Sequence, residues 1–290
     1  MEPILKWAGG KRRLLTALKE YISPELISGH RYYEPFVGGG SFAFNLEYEN
    51  TTINDLNPEV TNVYQMIKDN PEELVRELKH HQDNHSKDYY YNMRDVDRDE
   101  KSFRKMSRIK RAARMIYLNR TCYNGLYRVN SKGYFNVPIG RSAQNTVPDI
   151  VMEDRIQKLS QLFNRDGFII KCGEYFKSVE DASAGDVVYF DPPYDYEKEG
   201  FKAYIKTGFF HEDLLHLKDV CDELIERGCR VFLSNNDTQF VRECFSGENY
   251  IIHTIAARRM INCKSDGRKL IDEVIICGRK DELEPMARML

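Results

Sequence analysis

Asp191-Pro192-Pro193-Tyr194 is the tetrapeptide in this 290-residue chain whose residue types most directly suggest chemistry. It follows the apolar run Val187-Val188-Tyr189-Phe190, which reads as a buried strand, so it falls at the carboxyl edge of a sheet, where α/β folds bind ligands. Two prolines stiffen the turn and remove N–H donors, leaving carbonyl acceptors in a fixed direction. A carboxylate, a fixed carbonyl and an aromatic ring side by side suit a flat ring that carries an exocyclic amine. The bland alternative is an ordinary proline-rich turn.

A second constellation lies upstream. Val37-Gly38-Gly39-Gly40-Ser41-Phe42-Ala43 follows a candidate strand and fits G-x-G-x-x-A, with Asp55 fifteen residues beyond Gly40. The strand before it ends in Glu34-Pro35, however, and a carboxylate there repels phosphates while suiting a cationic or hydroxylated ligand. The bland alternative for the glycines is a tight strand-to-helix turn. Asp55 closes the next strand, the position at which α/β folds accept a ribose diol. Its other reading is a cap for the helix that Pro58 opens, although Asn57 suits that task better.

Other groupings fail on spacing. Gly9-Gly10-Lys11-Arg12 lacks the first glycine and the Ser/Thr of a phosphate loop. His211 and His216 stand five apart, on different helix faces, and His81 with His85 reads as a solvated helix end rather than a metal site. The seven cysteines include no CxxC, so no metal is expected, and they read as reduced thiols of a cytoplasmic protein.

Compact β-branched and aromatic runs at 31–36, 51–55, 167–171, 186–190, 229–234, 250–255 and 271–277 must position these groups. Helical periodicity covers 58–68, 71–82, 105–119, 153–163 and 211–227, with Pro58 and Pro71 at first-turn positions. Strands alternating with helices predict a mostly parallel α/β sheet covered on both faces, closed by a hairpin that gives one antiparallel strand near the C-terminus. The alternation breaks between about 69 and 150, where a helical stretch leads into the Gly/Asn/Pro-rich segment 121–141. Residues 1–68 and 151–290 therefore read as one domain and 69–150 as an insert, with a hairpin turning at Ser131-Lys132-Gly133.

Apolar residues at 41% and charged residues at 30% exclude a disordered, collagenous or fibrous chain. No apolar run is long enough to span a bilayer, and no signal-peptide pattern is seen, so no membrane partner is expected. The net charge of −2 conceals an asymmetry: residues 98–141 hold twelve Lys/Arg against two acids, a net +10, and the remainder carries −12. A second run, residues 258–269, has five bases and one acid. This is the footprint of a polyanion binder. Lys101, Arg104, Lys105, Arg108, Lys110, Arg111 and Arg114 are expected to meet phosphates or water. About six phosphate contacts would give a salt slope near −5.

Taken together, Lys6-Trp7-Ala8-Gly9-Gly10-Lys11, Tyr33-Glu34-Pro35-Phe36-Val37-Gly38-Gly39-Gly40-Ser41, Asn54-Asp55, Tyr123-Asn124-Gly125-Leu126-Tyr127-Arg128, Phe135-Asn136-Val137-Pro138, Gly140-Arg141, Asp191–Tyr194 and Leu233-Ser234-Asn235 resemble the Dam/DpnM-type (D12 class) DNA adenine-N6 methyltransferases over nearly the whole chain. The resemblance implies a Rossmann-like methyltransferase sheet with an inserted helical and β-hairpin DNA-recognition domain. It also implies S-adenosyl-L-methionine as methyl donor and double-stranded DNA as substrate. Trp7, Lys11, Glu34, Pro35, Phe36, Gly38, Gly40, Asp55 and Asp191 would line the cofactor site, and Asp191, Pro192, Pro193 and Tyr194 would act on a flipped adenine. Lys6, Tyr123, Asn124, Arg128, Asn136, Pro138 and Arg141 would face DNA, with GATC as the expected site. Lys11 would meet either the methionine carboxylate or Asp191; both roles stay open.

The chain departs from the pattern after Tyr194, where Asp195-Tyr196-Glu197-Lys198-Glu199-Gly200 is short and charged ahead of Phe201 and Tyr204, and again at residues 258–269. A dehydrogenase would leave the tetrapeptide and the basic insert unused. A cytosine-N4 or RNA-adenine methyltransferase shares the amine chemistry. An idle DNA-binding regulator has no use for a carboxylate in a base pocket. A monomer or weak dimer, alone or with a cognate restriction endonuclease, is expected.

Overall fold

The computed structural model describes residues 1–7, 14–27, 29–146, 148–195, 209–255 and 272–279. Its strands are β1 (Tyr32–Glu34), β2 (Thr51–Asp55), β3 (Ile169–Cys172), β4 (Val187–Phe190), β5 (Arg230–Asn236), β6 (Tyr250–Ile255) and β7 (Glu273–Gly278). They form one sheet in the order β3-β2-β1-β4-β5-β7-β6. β1 to β5 run parallel, and β7 pairs antiparallel with both β5 and β6. The sheet thus has the expected single reversed strand.

The helices are α1 (Leu15–Ile22), α2 (Ala43–Leu46), α3 (Pro58–Asp69), α4 (Pro71–Asp83), α5 (Lys87–Asp95), α6 (Glu100–Lys105), α7 (Arg108–Thr121), α8 (Arg141–Asn145), α9 (Glu153–Phe163), α10 (Tyr175–Ser178), α11 (His211–Glu226) and α12 (Gln239–Cys244). Because strand side chains alternate, Val187 and Tyr189 of β4 join a core with α1, α3, α4, α7 and α9, while Val188 and Phe190 join another with α11 and α12. Burial on both faces is why β4 is apolar throughout. Leu74 and Leu78 of α4 are fully buried, each worth about 2 kcal/mol of apolar transfer.

Local chemistry sets the boundaries. Asn57 caps α3 by accepting the Glu59 N–H, with Pro58 in the first turn. The strand expected over 31–36 contracts to Tyr32–Glu34, because Pro35 brings no N–H to the ladder. The helix expected over 105–119 is a further correction: α6 and α7 are separate. Met106 is extended, and the Ser107 side chain accepts the Lys110 N–H, so a new helix starts there.

α7 joins two cores. Ile109, Ala112 and Ile116 pack into the main one, whereas Tyr117 and Leu118 pack with Tyr90, Phe135, Val137 and Ile139 in a smaller one. Over the smaller core, the segment expected as a hairpin closes through single bridges, Val129 to Phe135 and Cys122 to Ile139. Its turn is held by Asn130, whose side chain accepts the N–H groups of Lys132 and Tyr134.

Candidate active site

The chain passes from β1 to β2 and β3 on one side and reaches β4 and β5 on the other, so a crevice opens at the carboxyl ends of β1 and β4. Glu34 ends β1, Asp191 follows β4, and Asp55 ends β2 next door. Three carboxylates therefore meet at the switch point of the sheet.

Each is held differently. Asp55 is partly exposed; its Oδ2 accepts the Gly38 N–H at 2.9 Å and its Oδ1 the Asn57 N–H at 2.8 Å. Burial pushes its carboxyl up to about 6, against the pull of these two amides. Glu34 is 3% exposed and accepts the Tyr32 hydroxyl at 2.7 Å. Burial pushes it up to about 8, and the nearby Asp191 charge adds to the rise, while the Tyr32 bond opposes it. Asp191 accepts the Ser234 hydroxyl on Oδ1 at 3.0 Å.

The glycine turn is built against rings. Gly38 has a φ of +47°, and a Cβ there would lie 2.7 Å from Trp7 Nε1. Its carbonyl accepts the buried Tyr64 hydroxyl at 2.5 Å. Gly40 turns toward the Phe44 ring, and its N–H goes to the Val37 carbonyl. With the Gly38 N–H given to Asp55 and the Gly40 N–H to Val37, neither amide faces a pyrophosphate, which weighs against the dinucleotide reading. Pro35 is buried, and its carbonyl accepts the Asn54 amide at 3.0 Å. Phe36 stacks on Tyr175, centroids 5.1 Å apart, and meets Phe190 and Phe209 edge-on. Leu56 stands 56% exposed beside Asp55. Carboxylates interleaved with aromatic faces suit an organic cation.

Beyond the tetrapeptide the backbone is tied to β5. Pro192 is buried, Pro193 exposed and Tyr194 half-buried. Asp195 donates its N–H to Asn235 at 2.8 Å, accepts the Asn236 amide on its carbonyl at 2.6 Å, and pairs its side chain with Thr238 and His211. Lys11, residues 196–204 and residues 258–269 lie outside the described residues.

Six of the seven expected DNA-facing residues belong to the hairpin pole, residues 121–141, with Lys6 joined to it through Asn119. Tyr123 is 46% exposed, and Asn124, Pro138, Arg141 and Lys6 are also exposed. Arg128 donates from Nε to Asn136 Oδ1 at 2.8 Å, which fixes one edge of its guanidinium. Two contacts tie this pole to the crevice: Trp7 stacks on Tyr127, centroids 5.6 Å apart, and the Asn119 amide pairs with both the N–H and the carbonyl of Lys6.

Two of the seven cations expected at phosphates or in water, Arg111 and Arg114, turn inward instead. Arg114 is 6% exposed and donates to the carbonyls of Met93 and Arg94 and to Asp97. Arg111 pairs with Glu59. Each lies on the α7 face that packs on α3 or α5, so helix geometry overrides charge. Lys101, Arg104, Lys105, Arg108 and Lys110 remain exposed, Arg108 while donating to Asn62. His81 is buried rather than solvated, stacked on Tyr117 and within 2.7 Å of the Tyr89 hydroxyl. Among the described residues no cluster of three or more His, Cys, Asp or Glu is placed to hold a metal, and no helix is long and apolar enough to cross a membrane.

Sequence reasoning did not find Tyr32, Tyr64, Asn119 or Tyr175, all of which shape the site. Only the two-residue alternation that puts Tyr32 and Glu34 on one face of β1 carried a local signal.

Comparison with known proteins converges on one reading. Residues 7–261 match the model of the D12 class N6 adenine-specific DNA methyltransferases. The chain is 42% identical to the type II methyltransferase M1.LlaDCHI of Lactococcus lactis subsp. cremoris, over 95% of each chain. It is 37% identical to the type II methyltransferase M.MjaIII of Methanocaldococcus jannaschii, over 93% of this chain and 96% of that one. With the DNA adenine methylase of Escherichia coli K12 it shares 32% identity, over 97% and 96%.

Proposed function

Because the chain belongs to the D12 class of N6 adenine-specific DNA methyltransferases, we propose that it methylates adenine N6 in duplex GATC with S-adenosyl-L-methionine as donor. The observation that carries the reading is the meeting of Glu34, Asp55 and Asp191 at the β1/β4 crevice, beside aromatic faces and a glycine turn whose Gly38 and Gly40 amides are already used.

The residues present fit the cofactor. Asp55 would take a ribose diol, Trp7, Glu34, Pro35, Phe36, Gly38 and Gly40 would form the wall, and Asp191 would supply negative potential for a sulfonium. When bound, the sulfonium supplies a methyl group on a good leaving group, so no covalent enzyme intermediate is required. Asp191 and the Pro192 carbonyl accept the two N6–H bonds of adenine, favouring a more tetrahedral nitrogen whose lone pair points at the methyl carbon. As the new N–C bond forms, the carboxylate stabilises the positive charge on N6 and receives its surplus proton. Tyr194 stacks on the base and Pro193 stiffens the turn.

Adenine must leave the duplex first, at a cost of a few kcal/mol. In this reading residues 69–150 form the recognition domain on the catalytic domain of 1–68 and 151–290, supported by the smaller core around Tyr90 and Tyr117. Arg128 reads a guanine edge, Tyr123 enters the stack, and Lys6, Asn124, Asn136, Pro138 and Arg141 position the backbone. Two of the type II relatives named above carry methyltransferase names without a stated site, so the GATC assignment rests on the hairpin residues.

Methyl transfer from labelled S-adenosylmethionine to a GATC duplex and to a scrambled duplex tests all of this. N6-methyladenine in the first alone is expected. Methylation of both overturns the site, and methylation of neither overturns cofactor and substrate together.

A further inference from the structure

Asp191 is attached to a buried hydroxyl chain that the mechanism above does not use. Ser234 of β5 is fully buried and donates to Asp191 Oδ1 at 3.0 Å; its Oγ lies 2.9 Å from the hydroxyl of Tyr189, also fully buried. A serine hydroxyl has one proton. Since that proton goes to Asp191, the Tyr189 hydroxyl must donate to Ser234. The chain then runs in one direction, from Tyr189 through Ser234 to a carboxylate that acts only as acceptor. Donors aligned this way strengthen one another, and the last bond is to a charged group.

The fold explains why the chain exists. Tyr189 precedes Asp191 by two residues and belongs to the main core, and Phe190 on the opposite face is fixed in the other. β4 pairs with β5 in the register Phe190 to Leu233, which sets Ser234 level with Asp191. Three groups on two strands are thus locked by backbone register and need no loop to assemble. Nearby, Tyr32 donates to the buried Glu34 side chain, which lies beside Asp191.

We propose that Ser234, supported by Tyr189, is a positioning residue that holds the Asp191 carboxylate in the orientation required by the adenine amine. The proposal rests on the assignment of Asp191 above. With the amine bonded to a carboxylate already fixed, turnover depends on the relay, while binding of DNA and cofactor does not.

Steady-state kinetics on the full chain with a GATC duplex test it. Ser234→Ala is expected to lower kcat about tenfold, with KM for DNA and for S-adenosylmethionine within about twofold of the parent. Tyr189→Phe keeps the ring in the core and removes only its hydroxyl; it is expected to lower kcat about threefold. In the double variant the loss should not exceed that of Ser234→Ala alone, because both substitutions cut one chain. Ser234→Thr, which restores a hydroxyl, should recover most of the loss. Wild-type kcat in Ser234→Ala, or additive losses in the double variant, overturns the relay. Asp191→Ala run alongside separates the causes. If it is inactive while Ser234→Ala is unimpaired, only the relay fails. If it remains active, the assignment of Asp191 fails and the relay with it.

Discussion

At the sheet edge, carboxyl groups are held by hydroxyls from strands and by amides from the adjoining turns: Tyr32 to Glu34, Ser234 to Asp191, Gly38 and Asn57 to Asp55. At the hairpin pole the ties are built around turns: Asn130 accepts the N–H groups of Lys132 and Tyr134, Arg128 donates to Asn136, Asp97 accepts the Phe135 N–H, and single bridges stand at Val129 and Cys122. The first region gathers carboxyl groups at strand ends; the second is basic and closed by turns. Chemistry on an amine needs acceptors held to a fraction of an ångström, whereas reading a duplex needs side chains that can settle against a partner. In the proposed function the two poles would divide the labour accordingly.

Substitutions can break this division. Arg114→Ala tests whether α7 charges are structural or DNA-facing. It should cost about 3–5 kcal/mol in denaturant unfolding, because it strips a buried partner from Asp97, and should leave the salt slope of DNA binding unchanged. With five exposed cations on α6 and α7, that slope is expected at about −4.5. Asp191→Ala should lower kcat by about 10²–10³-fold with DNA affinity, measured by gel shift, within about twofold. Lost DNA binding with unchanged turnover would place Asp191 at the wrong pole. Arg128→Ala should do the converse: discrimination between GATC and a one-base variant falls by about 1–3 kcal/mol, while kcat at saturating DNA holds.

A pH series sharpens the electrostatic side. Glu34 binds its proton more tightly in the fold than in the unfolded chain, so it favours the fold at low pH and this contribution is lost as pH rises between about 4.5 and about 8. Glu34→Gln removes that titration. Its stability relative to the parent should therefore rise with pH across the window, by at most about 1.4 kcal/mol per unit, as read from urea midpoints at pH 5, 6.5 and 8. A difference independent of pH would mean that Glu34 is not buried as a proton-binding group.

The comparison also shows what a sequence makes legible. The strand over 51–55 and the helix over 153–163 can be read end to end, because periodicity and a proline or acidic first turn are local signals. Asp191 at a sheet edge follows from the apolar run before it. Ser107 is different: a serine inside a basic helical pattern reads as a continuing helix until its cap is seen. Arg111 and Arg114 look like surface cations because charge is visible and helix facing toward α3 and α5 is not. The partners of the carboxylates are least legible of all. Ser234 meets Asp191 across 43 residues and Asn119 meets Lys6 across 113, contacts made by sheet register and helix docking alone.

Trp7 is the only tryptophan in the chain, and it sits between the Gly38 turn and the Tyr127 ring. The junction between the two poles therefore carries a built-in fluorophore. Its emission reports one place, where the glycine turn meets the base of the hairpin, so spectral changes on adding S-adenosylmethionine or DNA can be read without a label.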